Sequence, residues 1–306
     1  MTNESSQIET TKIGFVGLGH MGGNMAARFL DAGYAVYGTS QARDHASDII
    51  DQGLQWRDTS REVAEAADVV CTSLPSDAVL DEVSSGSDGI VAGMDGDTIW
   101  VDLSTISPHE ADALAARVSK HGGTMLSTPV SGSVPQVKSG TLTIMAGGDE
   151  DAYARVEPIL KVLGTPVHVG ENGHALVLKL AINISLAVQT LAASEGLLLA
   201  KRAGMDIKVA LDVMTESAIG SPMLKARAPL ILDLPEEAWF DMSLMQKDIG
   251  LALDTARRFH VPLPTAGEAD ELLSIGQSRG YEHRDLAGLF HVLEEISAQE
   301  GVSQPS

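Results

Sequence analysis

The first residues whose types and spacing suggest chemistry are Gly17-Leu18-Gly19-His20-Met21-Gly22, which follow an apolar run at 12–16 and lead into the helix-like NMAARFLDAG. Each glycine has a separate job in such a strand–turn–helix unit. Gly17 permits the tight turn, Gly19 lets the backbone approach a pyrophosphate, and Gly22 allows helix and strand to pack closely. The helix that follows offers N–H donors and the positive end of its dipole to an anion. The next apolar run ends Tyr37-Gly38-Thr39-Ser40-Gln41-Ala42-Arg43. An NAD site places Asp or Glu there for the ribose 2′-hydroxyl, and none is present. Thr39, Ser40 and Arg43 offer two hydroxyls and a guanidinium, which suit a 2′-phosphate, so NADP is favoured over NAD; a solvated first-turn arginine is the competing reading of Arg43.

The elements that must position these residues are legible as short apolar runs alternating with helical segments. Candidate strands lie at Lys12–Leu18, Tyr34–Thr39, Asp68–Pro75, Thr98–Ser104, Thr124–Val130, Leu142–Gly148 and Pro166–Gly170. Strands alternating with helices imply a mostly parallel sheet covered on both faces, an α/β Rossmann-type domain over 12–171. Beyond Glu171 the strand signal ends. An apolar-rich segment from His174 runs about thirty residues to Gly204 without a breaker. Because Lys179, Asn183, Gln189, Ser194 and Glu195 interrupt it, it reads as a buried inter-domain helix over 172–203 rather than a membrane span. The remainder, 204–296, reads as an all-α domain with Pro222, Pro229, Pro235, Pro262 and Pro264 as breakers. The final AQEGVSQPS reads as frayed.

Composition narrows the classes further. The chain has 306 residues, 42 acidic and 21 basic side chains and a net charge of −21, which argues against a nucleic-acid-binding surface. The acidity fits a solvated surface that aids solubility, or adaptation to high salt. Cys71 is the only cysteine and has no intramolecular partner for a disulfide, and no His/Cys cluster has metal-ligand spacing. Residues 1–11 are polar rather than basic-then-apolar, so the expected location is the cytoplasm.

Five ordered blocks beyond the glycine loop give a resemblance that covers nearly the whole chain: Ser73–Pro75, Asp102–Pro108, Pro129–Gly148, Gly173–Asn183 and Leu244–Leu253. With GFVGLGHMGGNMA they make the sequence similar to the β-hydroxyacid dehydrogenase family of the 6-phosphogluconate dehydrogenase superfamily. The resemblance implies hydride transfer between NAD(P) and the hydroxyl-bearing carbon of a small β-hydroxy acid (3-hydroxyisobutyrate- or glycerate-like) or the corresponding semialdehyde. It makes Lys179 the general acid/base. The residues agree, since a lysine between Leu178 and Leu180 is an odd structural choice, and desolvation would lower its pKa from about 10.4 toward neutrality. A snorkelling or salt-bridged lysine is the plainer alternative. Asn183, four residues on, shares its helical face and is implied to orient Lys179 or the substrate hydroxyl. Ser131 and the backbone N–H groups of Gly132 and Ser133 are implied to hold a substrate carboxylate. Lys247 matches a family lysine beside nicotinamide and substrate, with a surface pair to Asp248 as the competing reading. Leu74, Pro75 and Thr105 match cofactor contacts, along with Leu18, His20 and Met21 of the glycine loop. The resemblance also implies an active site in the cleft between the domains, and a homodimer or homotetramer.

The sequence departs from the family pattern at Ser127-Thr128, Ser133, Pro135-Gln136 and Ala175. The polar Ser133 and Gln136 beside the expected carboxylate site leave the substrate open. Imine reductases share the scaffold but usually carry Asp or Tyr in place of the lysine. A cofactor-binding sensor would have no use for Lys179 and Asn183.

Overall fold

The computed structural model describes residues 11–299. Residues 1–10 and 300–306, with most of the polar N-terminal stretch and of the tail expected to fray, lie outside them. The chain divides into two compact units between Lys179 and Leu180.

Among the described residues of the first unit, nine strands form one sheet: β1 (Lys12–Val16), β2 (Ala35–Thr39), β3 (Gln55–Trp56), β4 (Val69–Thr72), β5 (Ile99–Asp102), β6 (Thr124–Ser127), β7 (Val130–Ser131), β8 (Leu142–Gly147) and β9 (Gly164–Gly170). Their order is β3-β2-β1-β4-β5-β6-β8-β7, with β9 also paired to β8. Pairing is parallel from β3 through β6 and antiparallel where β8 meets β6 and β7. Helices α1 (His20–Asp31), α2 (Ser47–Asp51), α3 (Ser60–Ala66), α4 (Asp77–Ser84), α5 (Ile90–Gly93), α6 (Pro108–Lys120), α7 (Val134–Ser139) and α8 (Glu150–Leu160) connect the strands.

The continuous apolar runs that open β4 (Val69–Cys71) and β5 (Ile99–Val101) follow from burial on both faces. Ile13, Phe15, Val69, Cys71, Ile99 and Val101 pack with Met25 and Phe29 of α1 and Val156 of α8. The alternate residues Val16, Val70 and Trp100 pack with Val63 of α3 and Leu114 and Val118 of α6. Two strands carry no signal in the sequence, because β3 and β7 have only two residues each. The Pro166 ring falls within β9, which among the described residues pairs only with β8 and so has an edge where a missing N–H is tolerated.

The remaining helices are α9 (Asn172–Arg202), α10 (Ile207–Glu216), α11 (Pro222–Leu232), α12 (Met242–Phe259), α13 (Pro264–Ser278) and α14 (Leu289–Gln299). By length and composition α9 could cross a membrane. Its residues are instead core members: Leu176 in the first unit, Ala187 and Leu191 with α12 and α13, and Leu197 with α10 and α11. Pro222 and Pro264 open their helices as expected of a ring that needs no N–H at N1. Pro229, expected to break a helix, instead lies inside α11. Burial of Leu224, Ala228 and Ile231 along that helix offsets the backbone bond the ring removes. A buried ion pair, Arg227 Nη1 to Asp285 Oδ1 at 2.6 Å, joins α11 to the segment before α14, and Asp285 Oδ2 accepts from the N–H groups of Trp239 and Phe240.

Candidate active site

The glycine loop has three separable geometries. Gly17 has φ +94°, and a Cβ there would lie 2.5 Å from the Ser73 carbonyl oxygen. At Gly22, in the first turn of α1, a Cβ would lie 1.9 Å from the Gly17 carbonyl oxygen, so only hydrogen fits. Gly19 caps α1 in an extended conformation, and a Cβ there would meet nothing within 4 Å. Open space over Gly19 at a helix N-terminus without a side-chain cap fits the close approach of a dinucleotide pyrophosphate.

The carboxyl ends of the neighbouring strands converge here. Val16 is in register with Thr39 on one side and Thr72 on the other, and Thr72 with Asp102. This brings the glycine loop, Thr39-Ser40, Leu74-Pro75 and Ser104-Thr105 to one sheet edge. Asp102, absent from the residues selected by sequence, ties two of these loops together. Its Oδ1 accepts from Thr72 Oγ1 at 2.6 Å, Ser104 Oγ at 2.6 Å and Ser104 N at 3.2 Å. The Leu74 N–H in turn donates to Ser104 Oγ at 2.9 Å. Asp102 is fully buried, and among the described residues its Oδ2 takes no hydrogen bond. Burial pushes its carboxyl above the usual range, against the pull of the Ser104 and Thr72 hydrogen bonds. An acid ending the otherwise apolar strand TIWVD was the available signal.

Ser131 lies in β7 beside Thr143 of β8, and Gly132 follows with φ +131°. The Ser133 N–H, expected to face a carboxylate, donates instead to Gln136 Oε1 at 2.9 Å, as the first turn of α7 closes on itself. Here the departure seen in sequence has a physical effect: the Gln136 amide oxygen sits where a substrate oxygen was expected.

On α9, Lys179 is 9% exposed while Leu178 beside it is 41% exposed, so the lysine and not its neighbour lies on the buried face. Asn183, one turn on, is 1% exposed. In the second unit the Asn183 side-chain amide donates to Asp248 Oδ2 of α12 at 2.5 Å. Lys247 Nζ lies 2.8 Å from Asp248 Oδ1. The pair to Asp248 given as the competing reading of Lys247 therefore forms, but the acid is 2% exposed rather than a surface residue. It lies on the apolar stripe of α12 with Met245, Ile249 and Ala252. Sequence reading noticed Asp248 only as a partner for Lys247; its place on an apolar stripe is the signal that marks it as a buried acid.

Residues 12–171 match the model of the NAD binding domain of 6-phosphogluconate dehydrogenase, and residues 173–293 match that of the NAD-binding domain of NADP-dependent 3-hydroxyisobutyrate dehydrogenase. The Escherichia coli 2-hydroxy-3-oxopropionate reductase is 34% identical, over 92% of this chain and 97% of that protein. The chain belongs to the β-hydroxyacid dehydrogenase family. The solved Mycobacterium tuberculosis 3-hydroxyisobutyrate dehydrogenase with L-serine is similar to this β-hydroxyacid dehydrogenase at 30% identity and TM-score 0.81, over 92% of this chain and 99% of that one. So is a structure of Psf3 in complex with NADP+ and 2-OPP, at 27% identity and TM-score 0.84 over the same shares. An imine reductase from Pseudomonas sp. matches at 22% identity and TM-score 0.61, a likeness of fold alone. As a member of the family, this β-hydroxyacid dehydrogenase is an NAD(P)-dependent oxidoreductase acting on hydroxy acids.

Proposed function

We propose that this dehydrogenase interconverts a small β-hydroxy acid and its semialdehyde, prefers NADP, and moves the reacting proton on Lys179. The observation that carries the reading is Lys179 itself, nine-tenths buried on an apolar-rich helix and one turn from a buried Asn183. A lysine in that setting loses hydration, which favours its neutral form and suits it to acid–base catalysis. Gly17, Leu18, Gly19, His20, Met21 and Gly22, with Thr39, Ser40, Arg43, Leu74, Pro75 and Thr105, would hold the dinucleotide. When bound, the nicotinamide supplies the hydride acceptor or donor.

The chain's own residues supply the rest. In oxidation a neutral Lys179 takes the hydroxyl proton; in reduction its ammonium returns a proton to the developing alkoxide. Asn183, its amide oriented by Asp248, holds the hydroxyl or the lysine in line. Ser131 and the Gly132 N–H receive the carboxylate, and the Ser133 N–H joins them once Gln136 swings aside. Lys179, as the ammonium, gives an anionic substrate local positive charge that a −21 chain otherwise lacks, whereas the charge of Lys247 is already matched by Asp248. The substrate class is supported by the relative named 2-hydroxy-3-oxopropionate reductase and by the L-serine, itself a β-hydroxy acid, in the neighbouring structure. We also propose a homodimer or homotetramer, which would cover the exposed apolar residues Leu199, Val209 and Val213.

The test is reduced-nicotinamide absorbance with NADP or NAD and a panel of β-hydroxy acids, semialdehydes and cyclic imines. Turnover of a hydroxy acid or semialdehyde is expected. Turnover restricted to imines would overturn the substrate class.

A further inference from the structure

Arg57 has no role in the reading above, yet it stands at the end of β2 where the adenosine ribose is recognised in this fold. The parallel register pairs Tyr37 with Gln55 and Gly38 with Trp56, so Arg57 is the residue opposite Thr39. Its backbone N–H donates to the Gly38 carbonyl at 2.9 Å, which fixes it there. Its guanidinium carbon lies 4.7 Å from the centroid of the Tyr37 ring, and Nη1 donates to the Trp56 carbonyl at 2.9 Å. From the turn after β2, the Arg43 guanidinium carbon lies 5.7 Å from the Trp56 ring. Side chains alternate across a strand, so Tyr37 with Arg57 and Trp56 with Arg43 occupy opposite faces of the same strand ends.

Among the described residues neither guanidinium is in an ion pair. Each is braced on an aromatic ring instead, which restrains the plane while leaving edge N–H donors for an anion. No acid occupies Thr39-Ser40 to repel that anion or to accept from a free 2′-hydroxyl.

We infer that Arg57 is a specificity-determining residue that, with Arg43, clamps the 2′-phosphate of an adenine dinucleotide from the β3 side. The inference rests on the NADP preference proposed above. A phosphate monoester carries about −1.5 to −2 charges at neutral pH, and two guanidinium forks on either side of a strand end would match its several oxygens. NAD presents only a hydroxyl there, so the contribution of Arg57 belongs to the difference between the two dinucleotides.

The experiment measures dissociation constants of NADP+ and NAD+ by calorimetric titration for the full-length protein and for its Arg57→Ala, Arg57→Lys and Arg43→Ala variants. The wild type should prefer NADP+. Arg57→Ala should lower the NADP+/NAD+ affinity ratio by about tenfold or more, the scale of one lost charge-assisted contact, with Arg57→Lys in between. An unchanged ratio in Arg57→Ala, beside a wild type that prefers NADP+, overturns the role of Arg57 and leaves the NADP reading standing. Equal loss of both dinucleotides also overturns it, since Arg57 would then only shape the loop. A wild type that prefers NAD+ overturns the NADP reading and the clamp with it.

Discussion

Asp102 holds the β4 and β5 loops in place, and it does so as a buried carboxyl whose proton is retained to higher pH than in the unfolded chain. For a group with a raised folded pKa, the stabilising contribution is complete below the unfolded value of about 3.9 and is lost as pH rises through the folded value. Asp102→Asn removes that titration while its amide oxygen can still accept from Thr72 and Ser104. The stability of the wild type relative to Asp102→Asn should therefore fall as pH is raised from about 4, measured as the difference in Tm. A difference independent of pH would contradict the assignment. At this scale the sequence spoke clearly where a residue type was out of place. Lys179 in an apolar helix was visible; Asp102 and Asp248 needed the packing, because an acid at a strand end or beside a lysine usually faces water.

At the scale of elements, the glycine loop separates folding from binding. A methyl at Gly22 meets the Gly17 carbonyl oxygen, whereas a methyl at Gly19 meets nothing in the protein. Gly22→Ala should destabilise by about 1–3 kcal/mol or more, the usual cost of overpacking, seen as a lower Tm or loss of soluble protein. Gly19→Ala should leave Tm nearly unchanged and weaken NADP+ binding by about tenfold or more, because its methyl fills the space a pyrophosphate needs. Equal behaviour of the two variants would contradict the division of roles. The parallel sheet was legible because strands buried on both faces read as continuous apolar runs, and α9 because nothing breaks it. β3 and β7 were hidden because two residues have no periodicity. Pro229 was misread because packing along α11, invisible locally, outweighs one missing hydrogen bond.

The whole molecule carries a net charge of −21, and its self-repulsion is a long-range term that no single contact relieves. Raising ionic strength from about 0.01 M to about 1 M shortens the screening length from about 30 Å to about 3 Å. Tm should rise over that range in a non-kosmotropic salt such as sodium chloride. A flat or falling Tm would show that exposed, salt-screened ion pairs such as Arg61–Glu65 and Arg117–Asp81 outweigh the net charge.

The central claim is that Lys179 moves the proton, and it is tested most directly by steady-state turnover and NADP+ affinity of Lys179→Ala on the substrate found in the panel. The account predicts that kcat falls on the order of 10²-fold or more, the scale of lost acid–base catalysis, while the dissociation constant for NADP+ is retained. Turnover near the wild-type value, or parallel loss of cofactor binding, would contradict it.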